Sequence, residues 1–218
     1  ALQWRNYPDA INNVGFDKAW QVPLVVRYFA NSIIVTVLSV VGILLTSIFA
    51  AYALAQMNLP GKNILFILIL ATLMIPPDLT LVPKVVMMFN FGWYNAYPAL
   101  IIPFLASVFS IFLLRQFFMQ IPRELEEAAI LDGATYWGRF TRVILPLSTN
   151  ALTALAIFVF LGHYNDLFWP FIVTNSLETR TLPVGLTILN SSYAGQYRPM
   201  VLAGAVLASI PILIVYVI

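Results

Sequence analysis

Apolar and polar positions fall into long blocks along this chain rather than alternating with a short period. No Asp, Glu, Lys, Arg or His side chain appears between Arg27 and Lys62, or between Lys84 and Arg115. About 20 apolar residues already span the hydrocarbon core of a bilayer as a helix. The pattern predicts five candidate spans: Ala30 to Met57, Asn63 to Val82 with a break near Pro76-Pro77, Pro98 to Phe118, Val143 to about Trp169, and a last one from near Arg198 onward. Residues 1–29 read as an external segment of polar turns or short helices, marked by Asn6, Pro8, Asp9, Asn12, Asn13, Gly15, Asp17 and Lys18. The rest forms a transmembrane domain over 30–218, with a cytoplasmic elbow at 119–142.

The connections are equally patterned. Asn58-Leu59-Pro60-Gly61-Lys62 reads as a tight loop, and 170–197 as a longer one. Lys84 to Tyr97 reads as a connection whose Trp93, Tyr94 and Tyr97 suit the headgroup level. In lipid only helices and closed barrels satisfy their own backbone groups. Runs this long without a two-residue period make helices, so the expected fold is an all-α polytopic membrane protein. Pro76, Pro77, Pro103, Pro146 and Pro211 lie in or at the ends of spans. There prolines either free carbonyls for a pathway or kink helices for packing alone.

Composition sharpens the class. The chain is 61% hydrophobic and 9% charged, against roughly 25% charged in soluble domains, and its mean hydropathy is +0.89. Disorder and collagen are excluded. With no cysteine, so are disulfide scaffolds, iron–sulfur clusters and a thiol nucleophile. His163 alone cannot build a His-rich zinc site, and a net charge of +2 implies no nucleic-acid partner. Ala1 follows no Met or signal pattern, and Val215-Tyr216-Val217-Ile218 ends inside an apolar run, so more helix is expected at each end of the native protein.

Charge orients the spans. With 1–29 outside, Lys62, Arg115, Arg123, Arg139 and Arg142 fall inside, against Arg5, Lys18, Arg27, Lys84, Arg180 and Arg198 outside. The tallies are nearly equal, but the inside segments are shorter, so basic density favours this orientation.

The segment between the third and fourth spans is the most informative. Pro122 suits a first helical position, and Glu124, Glu126 and Glu127 follow at the positive end of the helix dipole. Leu125, Ala128, Ala129 and Leu131 or Asp132 share a narrow stripe. Gly133 fits a left-handed helix end, and Thr135 caps a second short helix. Helices that lie on membranes carry basic polar faces, whereas this first turn is acidic. The elbow therefore suits a basic groove on a partner protein better than the lipid surface.

Glu127-Ala128-Ala129, then Gly133, then Val143-Ile144-Leu145-Pro146 resembles the EAA signature of permease subunits of bacterial binding-protein-dependent ABC importers. Glu-Glu-Ala-Ala-x-x-Asp-Gly-Ala-Thr is similar to the carbohydrate-uptake branch that includes maltose and glycerol-3-phosphate permeases. Asn31-Ser32, Tyr52-Ala53-Leu54-Ala55, Leu59-Pro60-Gly61-Lys62, Met74-Ile75-Pro76-Pro77, Leu114-Arg115-Gln116-Phe117-Phe118, Tyr164-Asn165-Asp166-Leu167-Phe168-Trp169-Pro170 and Arg180-Thr181-Leu182-Pro183 carry the resemblance along nearly the whole chain. Val143, where the signature usually has Ile, keeps the apolar character.

The resemblance implies an ABC type I importer transmembrane domain of six helices, the first absent from this sequence, in the bacterial inner membrane. It implies no cofactor on this chain, with ATP-Mg held by a partner. The implied partners are a homologous second permease subunit, two cytoplasmic ATPase subunits and an extracytoplasmic solute-binding protein. Coupling is implied for Glu126, Glu127, Ala128, Ala129, Asp132, Gly133, Leu145 and Pro146, with Glu127 facing basic residues of the ATPase. The chain lacks a phosphate-binding GxxxxGK[ST] loop of its own: Gln56 stands at the upstream glycine position, and Asn63 follows Lys62. The reading is thus a transporter subunit, not an enzyme.

Asp78, Lys84, Tyr164, Asn165 and Asp166 are candidates for the pathway or for outer-face contacts, because ionisable groups at membrane depth face cavities by default. The competing reading places Asp78, Lys84 and the 163–166 group at the membrane interface, and Tyr164 in an aromatic belt. An ion-gradient-driven secondary transporter is the rival function. It would have no use for the acidic elbow.

Overall fold

A computed structural model describes residues 4–12, 16–17, 21–193 and 198–217. Asn13, Gly15, Lys18 and the end of the 170–197 segment lie outside the described residues. The chain divides into two compact units: residues 1–38, 82–103 and 160–218 form one, and 39–81 and 104–159 the other. The long helix α2 (Leu24–Gln56) runs through both.

The first unit holds α1 (Asn6–Asn12), a small antiparallel hairpin of β1 (Phe16–Asp17) and β2 (Val22–Pro23), and the start of α2. The first span begins at Leu24, earlier than the expected Ala30, because Arg27 does not have to stay in water. It ion-pairs with Asp17 on β1, both side chains being largely buried, and its Nε donates to the Glu178 carbonyl at 3.1 Å. Asn31 and Ser32, one turn further on, then hold the segment after residue 174. Asn31 Nδ2 donates to the carbonyls of Glu178 and Arg180, each at 2.8 Å, and the Ser32 hydroxyl accepts from Leu182 N.

Two stretches expected as connections are helical. Lys84 lies inside α4 (Leu81–Asn90), and the true connection is the short stretch before α5 (Tyr97–Ile101). A single lysine among Val82, Val85, Val86, Met87 and Met88 costs a helix little, since its long stem can snorkel. Within 170–197, α11 (Phe168–Val173) and α12 (Leu182–Tyr193) flank the tight stretch 174–181, and α13 (Arg198–Val217) follows. Asn95, at φ 60°, organises that stretch: its Oδ1 accepts from Asn175 N, Ser176 N and the Thr179 hydroxyl.

The second unit holds the rest of α2, α3 (Lys62–Ala71), α6 (Val108–Gln120) and the elbow, α7 (Arg123–Leu131) with α8 (Tyr136–Arg139). A five-residue π-turn, Phe140–Ile144, continues from α8 through α9 (Leu145–Leu147) to α10 (Thr149–Tyr164). Its core joins Ile48, Ala51 and Tyr52 of α2 with Leu114 and Phe118 of α6, Phe140 and Ile144 after the elbow, and Leu155 of α10.

The expected break at Pro76-Pro77 is present: Ile75 turns extended (φ −84°, ψ 114°), as a residue before proline must. The helical run that holds the fourth candidate span starts at Tyr136, within the elbow, and bends by 72° between Leu147 and Thr149. Pro146 cannot donate to the carbonyl one turn back, and the wide π-turn just ahead of it absorbs the misfit. The buried Ser148 hydroxyl closes the bend by donating to the Ile144 carbonyl at 2.6 Å. Among the described residues one helix, Leu24–Gln56, is long and apolar enough to cross a membrane alone, and up to four spans result if each bent pair counts as one. The last candidate contributes a shorter apolar helix, Val201–Val217.

Candidate functional site

The elbow is built as a rigid bracket. Its first helix ends in a Schellman motif. Gly133, at φ +79°, donates to the Ile130 carbonyl at 2.9 Å, and Ala134 N reaches back to the Ala129 carbonyl, also at 2.9 Å. The Thr135 hydroxyl then accepts from Gly138 N at 3.2 Å and starts α8, as its sequence position predicts. Nothing lies within 4 Å of where a Gly133 Cβ would sit, so side chains there are opposed by backbone conformation rather than by crowding. Gly133→Val is expected to destabilise the turn by about 1–2 kcal/mol, and Gly133→Asn by less, because Asn tolerates the left-handed region. Proteolysis at the elbow of each variant in membranes measures the difference.

The glutamates divide their work. Glu126 turns inward: its Oε1 meets Arg139 Nη1 at 2.9 Å, with side chains only 13% and 9% exposed. The Arg139 guanidinium lies 4.2 Å from the Tyr136 ring centroid, and the Tyr52 hydroxyl donates to the Tyr136 carbonyl at 3.2 Å. These contacts fasten α7 to α8 and α8 to α2. Glu127 lines the same groove beside Lys62 and Arg123 but makes no ion pair among the described residues. It is exposed, along with Glu124, Ala128 and Leu131, which lie at helical spacing on one face; Leu131 is 89% exposed. Ala129 is half-buried, and Asp132, at the helix end, is exposed. Leu145 packs on the core beneath the elbow while Pro146 is exposed at the bend.

The outward face is therefore acidic along one edge and apolar at its tip, with an alanine between. Such a surface matches a groove with cations at its rim and an apolar floor. Periodicity could not reveal that Glu126 is paired and half-buried while its neighbour is exposed. The signal would have been Arg139, whose position on a separate helix only the turn geometry brings back to Glu126.

The other candidates scatter. Asp78 is exposed in the single turn Pro77–Thr80 of the second unit. In the first unit, Lys84 is half-buried on α4, Asn165 is exposed with its amide donating to the Leu161 carbonyl, and half-buried Asp166 accepts from Trp169 N at 3.4 Å at the start of α11. Tyr164 is 2% exposed. Its ring stacks on Phe160 and its hydroxyl donates to the Ala208 carbonyl at 3.1 Å, so it ties α10 to α13 and has no face left for a solute. It sits in the core, not in an aromatic belt. Among the described residues no three His, Asp or Glu side chains gather as a metal site.

Bent apolar helices together with an acidic helix–turn–helix fit a membrane permease subunit. Residues 40–218 match the family described as the binding-protein-dependent transport system inner membrane component, and the chain belongs to that family. It is 36% identical over 190 residues to an arabinooligosaccharide transport system permease of Halalkalibacterium halodurans, covering 87% of this chain and 68% of that one. It is 35% identical over 182 residues to the sn-glycerol-3-phosphate transport system permease of Yersinia enterocolitica, covering 83% and 65%. Among solved structures, it is similar to a chain of a bacterial ABC transporter involved in importing the acidic polysaccharide alginate, with a TM-score of 0.79 and 27% identity over 95% of this chain and 76% of that one. The fold is that of an ABC importer transmembrane domain, as the sequence resemblance implies.

Proposed function

We propose that this permease imports a sugar or sugar-like solute by alternating access, and that it is driven by ATP hydrolysis on a separate subunit. The carrying observation is the elbow: Glu127, Ala128 and Leu131 face outward from a helix that Glu126 and Arg139 hold fast to the bundle. A face that grips a partner transmits force only if its base cannot swivel. Relatives named for arabinooligosaccharide and glycerol-3-phosphate transport support a solute of the oligosaccharide, monosaccharide, polyol or glycerol phosphate class.

In this reading the protein sits as a multi-pass chain in the bacterial inner membrane, with residues 1–29 outside and the elbow at 119–142 in the cytoplasm. A homologous second permease completes the pathway, two ATPases bind ATP-Mg below, and a solute-binding protein delivers from outside. ATP-driven closure of the ATPases brings the two elbows together, and the bundle switches from inward- to outward-facing as rigid bodies. Asp78, Lys84, Asn165 and Asp166 remain the polar groups available to a pathway or an outer contact.

The rival is transport driven by an ion gradient. The full complex in vesicles should take up solute with ATP on the cytoplasmic side even when ionophores abolish all ion gradients. Uptake that survives ATP removal but is abolished by the ionophores would establish the rival.

A further inference from the structure

Between the end of α2 and the base of the elbow lies a polar cavity of about 230 Å³ within the second unit. Gln56, Lys62, Asn63, Arg115, Met119 and Arg123 line it, and its lining holds three cations and no carboxylate. The cations are fixed by neutral groups. Arg115, 8% exposed, lies 4.0 Å from the Phe66 ring centroid and makes long bonds of 3.4 Å to the Leu54 carbonyl and to Asn63 Oδ1. Lys62 Nζ donates to the carbonyls of Ala55 and Met57, at 3.2 and 2.9 Å, which leaves one ammonium proton. The nearest acids, Glu126 and Glu127, line a neighbouring groove that shares Lys62 and Arg123, and Glu126 is already paired with Arg139. Three cations around a recess whose own lining carries no carboxylate favour an anion from outside.

The surroundings identify the anion. One residue beyond Asn63 the surface of α3 becomes apolar and exposed at Ile64 (67%), followed by Leu65, Ile67 and Leu68, and Met119 on α6 is exposed as well. The cavity therefore marks the level at which a hydrocarbon-facing surface gives way to the polar elbow. Aromatic Phe66 underlies Arg115 from the apolar side. An anion carrying acyl chains fits such a boundary, with phosphate in the basic recess and chains along α3.

We propose that Lys62, Arg115 and Arg123 bind the phosphodiester of an anionic phospholipid of the leaflet on the elbow side, and that this lipid anchors the base of the elbow. Basic pockets between membrane helices take anionic headgroups in this way, each cation near the surface strengthening binding about fivefold. The proposal rests on the reading that places Lys62 and the elbow on the cytoplasmic side, and its test needs neither ATP nor transport.

The complete transporter with its partner subunits is incorporated into nanodiscs of mixed phosphatidylglycerol and phosphatidylcholine, then released for native mass spectrometry. Wild-type complexes should retain phosphatidylglycerol selectively. Lys62→Gln with Arg123→Gln should lower that retention about 30-fold, while the same spectrum reports whether the subunits stay assembled. Inorganic phosphate added at the same concentration as lipid should not displace it. Equal retention of the two lipids, or an undiminished count in the double variant, would overturn the proposal. Displacement by inorganic phosphate would reassign the pocket to a free phosphate and overturn the lipid assignment. Absence of ATP-driven uptake by the wild-type complex, with selective phosphatidylglycerol retention, would strike at the coupling reading alone.

Discussion

Glu127→Lys is expected to abolish ATPase association while leaving the chain folded and inserted. Glu127 is exposed and forms no ion pair among the described residues, so its replacement breaks no fastening of the elbow. The loss should arise entirely at the docking face. Removing one partner of a hydrogen-bonded interfacial charge pair costs about 2–5 kcal/mol, much of it from the stranded opposite charge. That corresponds to at least about a 30-fold weaker complex, and a lysine adds like-charge repulsion against a basic groove. Glu127→Gln keeps the volume and removes only the charge, so it should fall between. Copurification of the ATPase with each variant, followed over a range of salt, is the measurement. The wild-type association should weaken with salt, as surface charge pairs do, and the Lys variant should gain by it. Stoichiometric ATPase on Glu127→Lys membranes with normal uptake would remove this residue from the interface.

Much of this elbow was legible in the amino-acid sequence because its determinants are local. Pro122 before three glutamates (the N-cap, one position ahead of the expected first helical residue), a glycine where the backbone must turn left-handed, and a threonine before a short helix each fix their own neighbourhood within one turn. The break at Pro76-Pro77 was readable for the same reason: the restriction acts on the adjacent residue, Ile75. Hidden features depended on contacts between separate elements. The early start of α2 rests on Arg27 meeting Asp17 across a hairpin, which no periodicity encodes. Likewise Tyr164 reads as an interfacial aromatic until α13 supplies the Ala208 carbonyl to its hydroxyl. Lys84 shows the opposite case: one charge in an apolar stretch resembles a boundary, although the helix continues through it. In a membrane chain a single cation is a weak punctuation mark; a proline or a positive-φ glycine is a strong one.

The inner glutamate should behave quite differently from its neighbour. Glu126→Ala strands Arg139, whose side chain is only 9% exposed and whose Nε is already without a partner. Breaking a buried pair on one side costs about 3–5 kcal/mol, a large share of the 5–15 kcal/mol that stabilises a typical domain. Because the contact joins α7 to α8 and not to any partner, the damage should fall on coupling before assembly. ATPase subunits should still copurify, since Glu127, Ala128 and Leu131 are untouched, yet solute moved per ATP hydrolysed should drop severalfold. Arg139→Gln should give the same phenotype from the other side, leaving a carboxylate in the recess instead of a guanidinium. Combining Glu126→Gln with Arg139→Gln leaves no orphan charge, so the double variant should be less impaired than the sum of its parts, with a coupling energy of about 0.5–3 kcal/mol in a double-mutant cycle. Strict additivity of the two single losses would mean that the pair does not act as one fastening, and that the elbow is held by the Tyr52, Phe140 and Ile144 packing alone.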